Sequence, residues 1–265
     1  MDDSSLCKKL QSKVAIVTGG ASGIGEATAH LFADHGTRMI VIADIQDEKG
    51  QQVAASIDIH RCTYVHCDVT DEDQVKSMVV QTIQNHGRLD IMFSNAGIVN
   101  DKDDTILELD LSGLDRLLAV NVRGMAACVK HAGRAMVDSG VKGSIICTAS
   151  VAASVGTKRY TDYTMSKHAI LGLIRSASLQ LGMYGIRVNC VSPAGVATPM
   201  ACKAYGMDVE RLEKVSSSHI SLEGMVLKVN HVAEAVLFLA SDASAFVTGH
   251  DLTVDGGFLA SPRSI

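Results

Sequence analysis

What most restricts this chain is a rhythm: short, almost continuously apolar runs separated by longer stretches with helical spacing. Seven runs stand out: "KVAIVT" (13–18), "RMIVIAD" (38–44), "CTYVHCD" (62–68), "LDIMFSN" (89–95), "GSIICTAS" (143–150), "IRVNCVS" (186–192) and "DLTVD" (251–255). A strand wetted on one side alternates apolar and polar residues, so runs lacking that alternation read as strands covered on both faces. Between them "GEATAHLFADHG", "DEDQVKSMVVQTIQNHG" and "HVAEAVLFLASD" have helix length, and glycine closes two of them where a left-handed cap residue is wanted. The alternation predicts an α/β fold, a doubly wound parallel sheet with helices on both faces. No linker, repeat or low-complexity stretch divides the 265 residues, so one domain is expected. Residues 194–229 break the rhythm between a 10–193 core and a closing helix and strand over 230–258, and a loop of that length predicts a helical excursion over a site.

Composition removes several function classes. A formal charge of −5 gives no basic footprint for nucleic acid. No apolar run approaches the ~20 residues that span a bilayer. The opening "MDDSSLCKKLQSK" lacks the apolar core of a secretory signal, and the seven cysteines (7, 62, 67, 128, 147, 190 and 202) are odd in number and irregularly spaced. Free thiols in a reducing, cytosolic compartment are the expectation. In "HRCTYVHCD" (60–68), His60, Cys62, His66 and Cys67 resemble metal ligands. On an extended strand Cys62 and Cys67 point to opposite faces, and the spacing matches no closed zinc site, so a buried strand without metal is expected.

The first apolar run leads straight into "TGGASGIG" (18–25), with Gly19, Gly23 and Gly25 in the pattern G-x-x-x-G-x-G and a helical segment directly after. Glycine lets the backbone approach a pyrophosphate, and a helix N-terminus offers unpaired N–H groups to the anion. Nineteen residues after Gly25, at the end of the second run, stands Asp44. A carboxylate there accepts hydrogen bonds from ribose hydroxyls and repels a 2′-phosphate. Ser22 and Ile45 supply no basic residue, and Arg38 begins the run six residues away, so NAD is the cofactor expected.

"RYTDYTMSKHAILGL" places Tyr163 and Lys167 four apart, on one helical face, whereas Tyr160 has no cation at three or four. An ammonium beside a phenol favours phenolate and draws its pKa toward the working range. Tyr163 is therefore the candidate base and Tyr160 a pocket wall. Ser150 ends a strand run thirteen residues earlier, where ligands bind in open parallel sheets.

"TGGASGIG", "SNAG" (94–97), Asn121 in "AVNVRG", Ser150 and Tyr163-x-x-x-Lys167 together resemble the short-chain dehydrogenase/reductase family, from about residue 10 to 258. The resemblance implies a Rossmann-type sheet of about seven strands and a catalytic group of Asn121, Ser150, Tyr163 and Lys167. It implies cofactor contacts from Gly19, Ser22, Gly23, Ile24, Gly25, Asp44, Asp68, Val69, Asn95, Ala96, Gly97, Val196 and Thr198, with Tyr163 and Lys167 also touching it. Two positions depart from the family pattern: Ser94 stands where a first asparagine is usual, and Ala194 follows Pro193 where glycine is usual, with Gly195 one place later. "CTASVAAS", "RSASLQLG" and "FVTGHDLTVDGG" are similar to the plant branch acting on terpenoid and lignan alcohols, including isopiperitenol, borneol and nepetalactol-related enzymes.

On that resemblance, Tyr163 removes the hydroxyl proton of a secondary alcohol or lactol held by Ser150 as hydride passes to NAD. Lys167 keeps the phenol acidic, and Asn121 fixes a water. A redox-neutral cyclase that keeps NAD as scaffold is the alternative. Val151, Val155, Tyr160, Met200 and Tyr205, with Ile98 and Met207, offer an apolar lining that suits a small terpenoid. The segments 125–137 and 168–182 look too apolar for solvent, and the family pairs these helices between subunits, implying a homotetramer or homodimer.

Overall fold

The computed structural model describes residues 8–101 and 105–260; Cys7 lies outside them. Every expected run contains a strand: β1 (Val14–Thr18), β2 (Met39–Asp44), β3 (Cys62–His66), β4 (Ile91–Ser94), β5 (Ser144–Thr148), β6 (Arg187–Pro193) and β7 (Asp251–Val254). They form one parallel sheet in the order β3-β2-β1-β4-β5-β6-β7. The chain first winds outward from β1 to β3 and then returns to the other side of β1 at β4. That reversal opens a crevice at the carboxyl ends of β1 and β4, the place where such sheets bind ligands.

The helices are α1 (Gly23–Asp34), α2 (Asp47–Ile57), α3 (Glu72–His86), α4 (Leu111–Leu118), α5 (Met125–Asp138), α6 (Thr161–Gly182), α7 (Pro199–Tyr205), α8 (Val209–Ser217) and α9 (Val229–Ala240). Because strand side chains alternate between faces, β1 sends Ile16 to one core and Ala15 and Val17 to the other. The first core packs β4 and β5 against Val75 and Met78 of α3, Cys128 of α5 and Ile174 of α6. The second packs Phe93 and Ile146 against Phe32 of α1, Val53 of α2 and Val236 of α9. Both faces are thus covered, which is why the strand runs need no polar alternation.

Cys62 falls in the second core and Cys67 in the first, on opposite faces. The six described cysteines are unbonded, and burial pushes the Cys62 thiol up to about 12 and the Cys67 thiol up to about 11. No described helix is long and apolar enough to cross a membrane.

The apolar side of α5 is taken up by its own chain: Met125, Ala127, Cys128, Val129, Ala132 and Met136 are all buried. On α6 the picture differs, since Leu179 is 83% exposed and Met183 just beyond the helix 78%. Of the two helical faces expected at subunit contacts, only the second keeps uncovered large apolar side chains.

Candidate active site

At the carboxyl end of β1 the chain folds back so tightly that side chains are excluded. A Cβ on Gly25 would lie 2.2 Å from the Gly19 carbonyl oxygen, and one on Gly19, whose φ is +64°, would lie 2.9 Å from the Ala96 Cα. Ser22 is the N-cap of α1, yet its hydroxyl caps nothing, so the first-turn N–H groups are open to an anion. Above them sits Thr198, whose methyl would touch a Cβ on Gly23 at 3.2 Å and whose hydroxyl caps α7 by accepting from Ala201 N at 3.2 Å. Val196, two residues before it, is buried.

The loop is braced from two directions. Asp44 Oδ2 accepts from Ala21 N (3.0 Å) and its Oδ1 from Gln46 N (3.0 Å), so the carboxylate expected to meet a ribose also clamps the glycine loop. Asn95 Nδ2 donates to the carbonyls of Thr18 (3.1 Å) and Gly19 (3.2 Å), and its Oδ1 accepts from Thr148 Oγ1 (3.0 Å). The Asn95 side chain is therefore engaged within the protein, and the Asn95 and Ala96 N–H groups both donate to Thr18 Oγ1 (3.0 and 3.2 Å). At the edge of the crevice Asp68 Oδ1 accepts from Thr70 N and Oγ1 (2.9 and 2.8 Å), beside buried Val69. A cradle closed to any Cβ, unpaired helix N–H groups and two carboxylates along its rim fit a nicotinamide dinucleotide.

The reactive side chains gather where β5 and α6 meet. Ser150 is 9% exposed; its hydroxyl accepts from Ala152 N (3.2 Å), capping a 3₁₀ turn over Val151–Ala153, and hydrogen-bonds the Tyr163 phenol. Lys167 is 5% exposed, donates to the Thr148 carbonyl at 2.9 Å and lies 5.3 Å from the centre of the Tyr163 ring. Asn121 lies in a π-helical segment, Ala119–Gly124; its Oδ1 accepts from Ile98 N (2.8 Å) while Nδ2 donates to Ile98 O (2.9 Å) and Ser166 Oγ (3.1 Å). Its amide thus clasps the turn after Gly97.

Electrostatics run against the expectation of an acidic phenol. Burial drives the Tyr163 pKa above the ordinary phenol range; the Ser150 hydrogen bond pulls it down, and Tyr205 pushes it further up. Burial likewise pushes the Lys167 ammonium down, to about 8. Helical spacing does bring the two together, but burial is the largest influence on each.

Tyr160 and Tyr205 meet edge to face, with centroids 5.4 Å apart, and Val151 and Val155 are half-buried between solvent and the core. Met200 (41%) and Tyr205 (44%) stand on the exposed side of α7, and Met207 follows it, half-buried. Thr18, Thr148 and Ser166 belong to the same framework but carry no sequence signal, because each acts through partners 45 to 78 residues away. Gly195, displaced from the family position, has a reason of its own: a Cβ there would lie 2.5 Å from Ser216 Oγ of α8.

Comparison with known proteins agrees with this geometry. Residues 19–259 match the model of the short-chain dehydrogenase family described as enoyl-(acyl carrier protein) reductase. The chain is 56% identical over 255 residues to (−)-isopiperitenol/(−)-carveol dehydrogenase, mitochondrial, of Mentha piperita, covering 96% of both chains. It is 55% identical to (+)-cis,cis-nepetalactol synthase of Nepeta racemosa, covering 96% of this chain and 94% of that one. Among solved structures, a short-chain type dehydrogenase/reductase from Mycobacterium marinum superposes with a TM-score of 0.88 at 31% identity, over 96% of this chain and 98% of that one.

Proposed function

The chain belongs to the short-chain dehydrogenase/reductase family, and from that premise we propose that it oxidises a cyclic monoterpenoid or iridoid secondary alcohol or lactol, nepetalactol- or borneol-like, to the ketone or lactone with NAD. The observation that carries this reading is the group of buried Ser150 and Lys167 with half-buried Tyr163, beside the glycine cradle. Preference for NAD rests on Asp44 at the end of β2. Arg38, the basic residue of that strand, donates to the His86 carbonyl at 2.7 Å and is turned away from the crevice.

An oxidised nicotinamide bound in the cradle would supply the hydride acceptor and a positive charge. Ser150 and Tyr163 hold the substrate oxygen between two hydroxyls, which orients the carbinol carbon. The alcohol proton passes to the Tyr163 oxygen as the hydride leaves that carbon, so the phenol must first release its own proton to solvent, which the half-buried ring reaches. Ser150 favours that loss by donating to the phenolate, and Lys167 favours it by its charge across the ring. Asn121 holds the turn through Ile98 that borders the pocket. Residues 194–229, carrying α7 and α8, cover the substrate within a single cofactor-binding domain. Val151, Val155, Tyr160, Met200 and Tyr205 present it with carbon rather than charge.

A redox-neutral reading has its own support in the Nepeta relative, named a synthase. In that case the same hydroxyls steer ring closure and the cofactor is retained unchanged. Exposed Leu179 and Met183 support pairing of α6 between subunits of a homotetramer or homodimer. The cytosol is the proposed compartment, on the free buried thiols, although the mint relative bears the word mitochondrial in its name.

One assay tests the activity. The purified protein is mixed with NAD or NADP and with carveol, isopiperitenol, borneol and nepetalactol, while nicotinamide absorbance is followed and products are separated by chromatography. Ketone or lactone formed with NAD reduction is expected. Ring closure of a reactive enol without cofactor reduction turns the assignment to the cyclase, and no product from any substrate overturns both.

A further inference from the structure

One buried acid has no part in the chemistry above. Asp162 is 6% exposed, sits immediately before Tyr163 and lies within the first turn of α6. Its Oδ1 accepts from the Tyr163 backbone N–H at 2.7 Å, and its Oδ2 from Asn100 Nδ2 at 2.5 Å. Asn100 also donates to the Gly113 carbonyl (3.1 Å) and accepts from Arg116 Nη2 (3.0 Å). The amide thus stands between a buried carboxylate and an exposed guanidinium, passing the cation's polarisation to the acid. A buried charge costs several kcal/mol unless paired and hydrogen-bonded, so a carboxylate held here needs a reason.

The local backbone supplies one. The N-cap of α6 is Tyr160, in the left-handed region (φ 58°, ψ 45°) and without a side-chain cap bond to the helix. A helix start leaves its first N–H groups without partners, and the Tyr163 N–H is one of these. Asp162 takes it. At the other end of the same residue, Ser166 Oγ donates to the Tyr163 carbonyl (2.7 Å) and is itself held by Asn121 Nδ2 (3.1 Å). Tyr163 is therefore gripped at both backbone atoms by side chains traceable to the 98–100 turn: to Asn100 on one side, and through Asn121 to Ile98 on the other.

We propose that Asp162, set by Asn100 and Arg116, is a positioning residue that fixes the first turn of α6 so that the Tyr163 phenol meets Ser150 and the substrate oxygen. The proposal rests on Tyr163 as the reacting phenol. It differs from a stabilising role in what it leaves alone: Asp44, Asn95 and the glycine cradle lie on other elements, so most of the cofactor's contacts are untouched.

The test uses the full chain with NAD and (−)-carveol. Asp162→Ala is expected to lower kcat about 10–100-fold, the order of loss that a misplacement of about 1 Å produces. The NAD dissociation constant stays within about twofold, and hydrogen exchange of the cofactor-free protein rises in the 160–166 segment but not in the 18–25 loop. Asp162→Asn sets two amide donors against each other, and Asn100→Asp in the same chain restores the donor–acceptor match. The pair is expected to recover part of the kcat that Asp162→Asn loses, and it decides the matter should Asp162→Ala fail to fold. A kcat for Asp162→Ala within about threefold of the parent, loss of NAD affinity in step with kcat, or a pair no better than Asp162→Asn overturns the proposal. Tyr163→Phe separates the two ideas: full activity there removes the phenol from the mechanism, whereas an inactive Tyr163→Phe beside a normal Asp162→Ala removes only the positioning role.

Discussion

The Lys167 ammonium lies 5.3 Å from the centre of the Tyr163 ring but directs a hydrogen bond to the Thr148 carbonyl, at 2.9 Å. It faces the ring and leaves the hydrogen bond to the phenol to Ser150. The cation therefore acts on the phenol through space, and its remaining N–H groups are open to a cofactor ribose. Tyr163→Phe keeps the ring beneath the ammonium and removes only the acidic oxygen. Steady-state oxidation of (−)-carveol is expected to fall by about 10²–10⁴ in kcat, the usual range for a lost acid–base group, with NAD affinity retained.

Burial of Lys167 has a pH signature in stability. Its folded pKa of about 8 lies below the ordinary lysine value of 10.5, so the unfolded chain holds the proton more tightly. The cost of charging it is present in full below pH 8 and is relieved as pH rises toward 10.5, which makes stability climb through that window. Lys167→Met removes the charge. The variant is expected to gain on the order of 3 kcal/mol over the parent at pH 7, less what its lost hydrogen bond contributes, with the gap closing by pH 10. Urea unfolding at pH 7, 8.5 and 10 measures it; a gap that stays constant with pH refutes the assignment.

Asp44 holds the glycine loop through Ala21 N while facing the expected ribose. Asp44→Ala thus takes away both a ligand contact and a loop clamp. The KM for NAD is expected to rise about 10–100-fold, the worth of a lost hydrogen bond to a charged group. NADP is not expected to improve to the level of parental NAD use, because the loop itself has loosened. Comparing kcat/KM for both cofactors decides this.

Gly25 has no room for a methyl group, since its Cβ would stand 2.2 Å from a backbone oxygen that cannot swing aside. Gly25→Ala is expected to destabilise the fold by ~1–3 kcal/mol, as overpacking does, and to abolish measurable NAD binding. Thermal unfolding and calorimetric titration give the two numbers; normal binding contradicts the picture of a cradle closed by backbone contact.

Much of this protein is legible along the chain because the signals are local. Two-sided burial of a strand leaves a continuous apolar run; six strands lie inside such runs, and β6 outruns its own by one residue. A phosphate cradle needs glycines at short spacing, and Tyr163 and Lys167 share a helical face because they are four residues apart. Other roles had no local mark. Nothing near Asn95 in the sequence shows that its amide bonds Thr18, Gly19 and Thr148. Asp162 looks like an ordinary first-turn acid until Asn100, 62 residues earlier, is found on its other oxygen.

Sequence by itself determined the winding of the sheet, the tight glycine turn and which tyrosine shares a helical face with a lysine, since each follows from periodicity or spacing within a few helical turns. Only the tertiary structure decided how acidic that tyrosine is, which amides are already engaged, and which helix faces remain open. Those properties depend on desolvation and on partners far along the chain, and both arise only when the two cores close.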